Sequence, residues 1–153
     1  MGTGNLTVAA RSPEVPMKPA KVLLADANAK LAQVIADLLG DEPGYTVVGV
    51  VDTAAAALLA ARRRRPEVVL VDPKLNDSTG LALCAALRAA APEAAVLLWS
   101  HGTERVTDAE VDGLLERGMT FRELVQALDQ VQVRAGRPSA SASGVRRLRP
   151  SHR

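Results

Sequence analysis

The sequence predicts a single α/β domain built on a parallel sheet with helices on both faces, and three observations carry that prediction. Short runs of branched aliphatic residues alternate with segments of helical periodicity along most of the chain, the pattern left by strand, crossover helix and next strand. Four of the strand-like runs stop abruptly on a polar or charged residue, as in VVLVDPKLNDSTG, where Val68 to Val71 run straight into Asp72. The length of 153 residues, 48% of them hydrophobic, suits one core that buries about two thirds of the unfolded surface without a metal or disulfide staple.

Taken in order, residues 1–19 mix Gly, Thr and Ser with three prolines and show no periodicity, so they are expected to be disordered, with Met17 a candidate true start. KVLLAD, Lys21 to Asp26, reads as a short buried strand. Asn28 then caps a helix whose Leu31, Val34, Ile35, Leu38 and Leu39 recur at i, i+3, i+4, i+7 and i+8, one apolar stripe. GDEPGY is a turn, and YTVVGVV, Tyr45 to Val51, is a β-branched second strand. Thr53 caps an Ala/Leu helix that ends on Arg62 to Arg65 before Pro66; cations there complement the helix dipole, and the run reads as a solvated helix end. EVVLVD is the third strand, Gly80 to Ala90 the next helix and Ala94 to Ser100 the fourth strand. Only residues 101–112 separate that strand from a short fifth one, Gly113 to Arg117, so a helix between them is a stub at most, capped by a Thr107/Glu110 box. Thr120 and Glu123 form a second capping box, opening a helix with Leu124, Val125, Leu128 and Val131 on one side.

Charge is unevenly spread. From Arg134 to the end there are six arginines and no acids, so the +2 total less those six leaves −4 for residues 1–133. The tail, residues 136–153, is expected to be disordered and basic. Aromatic residues make up 2% of the chain and none lies in that tail, so any nucleic-acid binding through it would be weak, sequence-independent and steeply salt-dependent. Cys84 is the sole cysteine, which excludes an internal disulfide or a cysteine-rich zinc site and favours a reducing setting; it reads as a core residue. His101 has no second ligand beside it and makes no metal site. No apolar run approaches a membrane span and residues 1–19 lack a signal-peptide block, so a cytoplasmic protein is expected.

In a parallel sheet, sites gather at strand carboxyl ends, beside the point where strand order reverses. Those ends carry Asp26, Asp72, Ser100 and Arg117, two acids, a hydroxyl and a cation. At this level of detail the chain resembles the receiver domain of bacterial response regulators. KVLLADANAKLAQVIADLL resembles that family's first strand and helix, and EPGYTVVGVVDTAAAALLAARRRRPEVVLVDPKLNDSTG its second and third strands with the phosphoacceptor loop. VDGLLERGMTFREL resembles the fifth strand and last helix. The likeness covers residues 20 to about 133, and the Asp72 to Gly80 spacing is its most specific part.

The resemblance implies a three-layer, flavodoxin-like, doubly wound sheet of five parallel strands in the order 2-1-3-4-5, occupying residues 20–135, with the fourth helix shortened or absent. It implies that Asp72 is the phosphoacceptor, a carboxylate nucleophile, and that Asp26, Ser100, Arg117 and Lys74 surround the phosphoryl group. Asp26 and Asp72 match metal-binding positions, but Ala27 stands where the family places a direct Mg²⁺ ligand, so Mg²⁺ binding should be weak or absent. Arg117 stands where the family has lysine, keeping the charge but not the compact ammonium. Leu114 stands where many receivers carry an aromatic switch residue. One expectation is four groups, Asp26, Asp72, Lys74 and Arg117, that neutralise one another without metal or phosphate; the other is that Lys74, whose chain is long and easily hydrated, points to solvent instead. Trp99 should face away from Ser100 and fill a sheet–helix layer, or mark a surface left open by the shortened fourth helix, through which a homodimer could form.

The function expected is that of an atypical, stand-alone pseudo-receiver: a protein-interaction module of two-component signal transduction, not an enzyme, with impaired Mg²⁺-dependent phosphorylation and a histidine kinase or transcription regulator as partner. Two alternatives stand beside it. One is a working phosphoacceptor modified on Asp72 by a histidine kinase; the other is a nucleic-acid adaptor using the arginine-rich tail.

Overall fold

The computed structural model describes residues 18–100, 105–106, 111–135 and 146–148. Strand β1 (Ala20–Ala25) leads to helix α1 (Ala29–Gly40), β2 (Tyr45–Val51), α2 (Ala54–Arg64), β3 (Val68–Val71), α3 (Gly80–Ala90), β4 (Ala95–Ser100), β5 (Gly113–Glu116), α4 (Phe121–Ala135) and β6 (Arg146–Leu148). The strands form one parallel sheet in the order β2-β1-β3-β4-β5-β6. The first five strands follow the doubly wound order 2-1-3-4-5, and the reversal of direction falls at β1, flanked by β2 and β3.

Period-two alternation splits the strand residues between two cores, as a sheet covered on both faces requires. Val22, Leu24, Val68, Leu70, Leu97 and Leu115 join Leu39 of α1 and Leu124 and Leu128 of α4. Leu23, Val69, Val71, Val96, Leu98 and Leu114 join Ala57 and Ala61 of α2 and Leu83, Cys84 and Leu87 of α3. Cys84 and Leu114 are therefore core aliphatic positions. Each fully buried Leu or Val contributes about 1.5–3 kcal/mol relative to exposure, which is how a core this poor in aromatics holds.

Local signals start and stop the helices. Asn28, Thr53 and Thr79 cap α1, α2 and α3 by accepting from the amides of Leu31, Ala56 and Ala82. Thr120 and Glu123 exchange side-chain and backbone hydrogen bonds in a reciprocal box at the start of α4. Arg65 turns left-handed, φ 51°, to end α2 behind the exposed Arg62, Arg63 and Arg64. Tyr45 on β2 donates its hydroxyl to Asp129 at 2.5 Å and ties α4 to the far side of the sheet.

Two expectations change. The apolar stripe of α1 does not face the sheet as a whole: Ala32, Ala36 and Leu39 are buried, whereas Leu31, Val34 and Leu38 are exposed. The sheet residues Val22, Leu24 and Val47 already fill the space between the layers, so the helix approaches on its alanines and turns the larger side chains outward. The basic tail is not without regular structure: Arg146–Leu148 pairs in parallel with β5, Leu114 opposite Arg147, giving the sheet a sixth strand that no local pattern announced. The fourth helix, the Thr107/Glu110 box, His101 and Met17 lie wholly or largely outside the described residues. Among the described residues no helix is long and apolar enough to cross a membrane.

Gly80 explains the fixed interval from Asp72. A Cβ there would sit 2.1 Å from the Asp72 carbonyl oxygen and 2.9 Å from the Pro73 Cα, because the first turn of α3 closes directly onto the end of β3. Gly80→Ala should therefore destabilise the domain by about 1–3 kcal/mol, since backbone rather than a mobile side chain must give way. Urea unfolding would show this as a lower midpoint at unchanged slope.

Candidate functional site

The site is assembled by adjacent strand ends. Ala25 of β1 is in register with Val71 of β3, so the residues that follow, Asp26 and Asp72, emerge side by side at the carboxyl rim where strand order reverses. Both are 8% exposed. The Asp72 amide donates to the Ala25 carbonyl at 2.8 Å and the Asp26 amide to the Val51 carbonyl at 2.9 Å, which continues the sheet pairing up to the acids.

Two buried carboxylates side by side need a cation, and Arg117 supplies it. Its Nη2 forms an ion pair with Asp72 Oδ1 and lies 3.9 Å from Asp26 Oδ2. The fork is delivered from the other half of the sheet: the Arg117 amide donates to the Ser100 carbonyl at 3.0 Å, and Gly118, φ 100°, turns the chain away immediately afterwards. Ser100 is fully buried at the end of β4. The guanidinium lies over the Trp99 ring, 4.5 Å from its centroid, and Arg117 Nε is buried without a hydrogen-bond partner among the described residues. Trp99 packs against the α1/α4 core and shares with Asp26 and Asp72 the lining of one small hollow.

The remaining carboxylate oxygens are held by backbone. Asp26 Oδ1 accepts from the Asn28 amide at 2.8 Å, and Asp72 Oδ2 from the Lys74 amide at 2.9 Å. Ala27 donates its amide to the Lys74 carbonyl at 3.3 Å, closing the two loops across the rim. The structure thus brings Asp26, Asp72 and Arg117 into contact and places Ser100 beside them. Of the two readings of Lys74, the structure shows the solvent-pointing one: it serves through its backbone, while its side chain is exposed and makes no ion pair with either acid. A short tight loop that turns its amide onto Asp72 points the long, readily hydrated lysine chain to water. In the contacts of Arg117, one guanidinium faces two carboxylates.

This donor set does not fit a divalent cation. Mg²⁺ requires near-octahedral oxygen ligands at about 2.0–2.1 Å. Here position 27 offers a methyl group, each oxygen of Asp72 and Oδ1 of Asp26 is engaged by an amide or the guanidinium, and Arg117 stands on the space between the acids.

The loop from Pro73 to Thr79 is fastened to α2. Asn76 donates its amide to the Asp52 carbonyl at 2.9 Å and its Nδ2 to Asp52 Oδ2 at 3.0 Å. Asp77 accepts from the first amides of α2, Ala54 at 2.6 Å and Ala55 at 3.2 Å, an anion on a helix N-terminus. The Ala54 amide in particular holds the Asp77 carboxyl below its ordinary value of 3.8. Neither the loop staple nor the Trp99 platform was visible in the sequence. Asp77 and Ala54 are 23 positions apart, and strand alternation gave only the layer of Trp99, not the cation above it.

Comparison with known proteins follows the same residues. The family model of the response regulator receiver domain matches residues 22–129. The DNA-binding transcriptional activator DevR/DosR of Mycobacterium tuberculosis is 30% identical over 116 residues, which cover 72% of this chain and 54% of that protein; the chain spans about half the length of the relative it matches. A signal receiver domain of an HD domain-containing protein from Pseudomonas fluorescens superposes with a TM-score of 0.71 at 20% identity, covering 83% of this chain and 96% of that one. A CheY-like response regulator receiver domain protein from Methanospirillum hungatei gives 0.69 at 17% identity, covering 78% and 98%. At such identities these two structures speak to the fold alone.

Removing the cation tests the site. Arg117→Ala should cost about 1–3 kcal/mol, below the value for breaking a fully buried pair because the guanidinium is partly exposed, and should change Trp99 emission in the folded state. The loop staple predicts a pH dependence. The folded-state pKa of Asp77 lies below the unfolded one, so its contribution is complete above the unfolded value and is lost as pH falls through the folded value. The stability gap between wild type and Asp77→Ala, followed by chemical denaturation, should be full at neutral pH and narrow below about pH 4.

Proposed function

The chain belongs to the response regulator receiver domain family, and from that premise we propose that it is an atypical receiver of two-component signalling, which works as a protein-interaction module with its phosphoacceptor position closed by its own arginine. The ion pair between Arg117 and Asp72 is the observation that carries this reading.

In the family pattern, an acidic pair and the phosphoacceptor aspartate hold Mg²⁺, and a lysine counters the phosphoryl charge. Ala27 takes away one acid, and the guanidinium of Arg117 takes up the charge of the other two. For Asp72 to attack a phosphoryl donor, its Oδ1 must first release a planar, delocalised cation that is also stacked on Trp99. An ammonium would leave more easily, because it is compact, strongly hydrated and borne on a flexible stem. The arrangement therefore supports one standing conformation, with no catalytic turnover of its own, presented to a histidine kinase or transcription regulator.

Retention of Asp72, Ser100 and a cation at 117 on one rim favours a second reading, a phosphoacceptor of weakened Mg²⁺ dependence in which Arg117 swings from carboxylate to phosphoryl oxygens. Incubation with acetyl phosphate and Mg²⁺, read by intact mass and by Trp99 emission, separates the two. The interaction-module reading expects no adduct on the wild type and no saturating emission change up to concentrations on the order of millimolar, with labelling gained in Ala27→Asp/Arg117→Lys. Labelling of the wild type at Asp72 would establish the second reading in its place. A partner captured equally by wild type and Asp72→Ala would show that the interaction ignores phosphate.

A further inference from the structure

Helix α1 carries more apolar surface than the sheet covers. Leu31, Val34 and Leu38 are 37%, 53% and 41% exposed, while Ala32, Ala36 and Leu39 of the same helix are buried. At about 100° per residue the three exposed residues form one ridge beside the buried arc, spaced i, i+3 and i+7 as in a two-helix seam. On the outer flank of the ridge stand the exposed Lys30, near the helix N-terminus, and Asp37 and Asp41, at its C-terminal end. Asp37 also accepts from Gln33 Nε2 at 3.0 Å, which fixes the carboxylate on that flank.

We propose that this ridge is a self-association face, on which a second copy of the chain docks its own α1 antiparallel about a twofold axis beside Val34. A twofold interface must be complementary to itself, and this pattern is. Antiparallel pairing about the middle of the ridge sets Leu31 against Leu38 of the second copy and brings Val34 close to its counterpart. It also sets Lys30 against Asp37 and Asp41 of the second copy, on the same flank of the pair. Parallel pairing would put the two charged flanks on opposite sides of the pair, where Lys30 meets neither Asp37 nor Asp41 of the second copy. The charge pattern therefore selects both the occupant and its orientation.

The ridge spans one 12-residue helix, about 18 Å, so the contact falls short of the roughly 1,600 Å² of a standard stable interface. The dimer is accordingly weak, reversible and concentration-dependent. It is independent of whether Asp72 accepts phosphate, and it does not use the surface near the β4–β5 connection.

Sedimentation of the full chain from micromolar to millimolar concentration tests the proposal. The wild type should pass from monomer to dimer, and Val34→Glu and Leu38→Glu should each stay monomeric with an unchanged far-ultraviolet spectrum, because both positions are exposed. Lys30→Glu should weaken the dimer several-fold at low salt, and Lys30→Glu/Asp37→Lys/Asp41→Lys should restore it. Val34→Cys should cross-link to itself on oxidation, the native Cys84 being buried. A wild type that remains monomeric throughout, as when another segment of the chain covers the ridge, overturns the proposal. So does a dimer that both glutamate variants leave intact.

Discussion

Two carboxylates on neighbouring strand ends, each almost withdrawn from water, set the terms for the rest of the pocket. Parallel order places β1 beside β3, register places Asp26 beside Asp72, and burial removes the water that would otherwise screen them. Some cation must stand between them. In this chain it is a side chain, Arg117, which follows β5, two strands away from β3, so that the pocket is closed across β4.

The choice of cation decides the chemistry left to the site. A guanidinium offers a planar fork and a face, and here both are used: the fork meets the acids and the face lies on Trp99. A divalent ion would require the oxygens that the amides of Asn28 and Lys74 and the guanidinium already hold. The methyl group of Ala27, which offers no oxygen, and the guanidinium of Arg117, which stands between the acids, thus act in the same direction.

Rigidity around the pocket comes from backbone contacts more than from side-chain bulk. Gly80 lets α3 close on the carbonyl of Asp72, and Asp77 and Asn76 fasten the intervening loop to α2 and to the end of β2. On the other side of the sheet, α1 meets the strands through Ala32, Ala36 and Leu39 and leaves Leu31, Val34 and Leu38 exposed, while the amide of its cap, Asn28, supports Asp26.

Fold class and most helix ends were legible in the sequence, because period-two strands, caps and stop residues act within a few positions of one another, whereas the strand order through β5 followed only from the family resemblance. The convergence of Asp26, Asp72, Ser100 and Arg117 was legible too, since a parallel sheet brings its strand ends to one rim. The azimuth of α1 was not, because hydropathy counts apolar residues without their size, and it is the close approach through Ala32 and Ala36 that turned Leu31, Val34 and Leu38 outward. The place of Trp99 under Arg117, the clamp of Asp77 on α2 and the pairing of β6 with β5 were settled only in three dimensions. Each joins residues brought together by the tertiary fold or turns on how a loop is aimed, and nothing local in the chain encodes either.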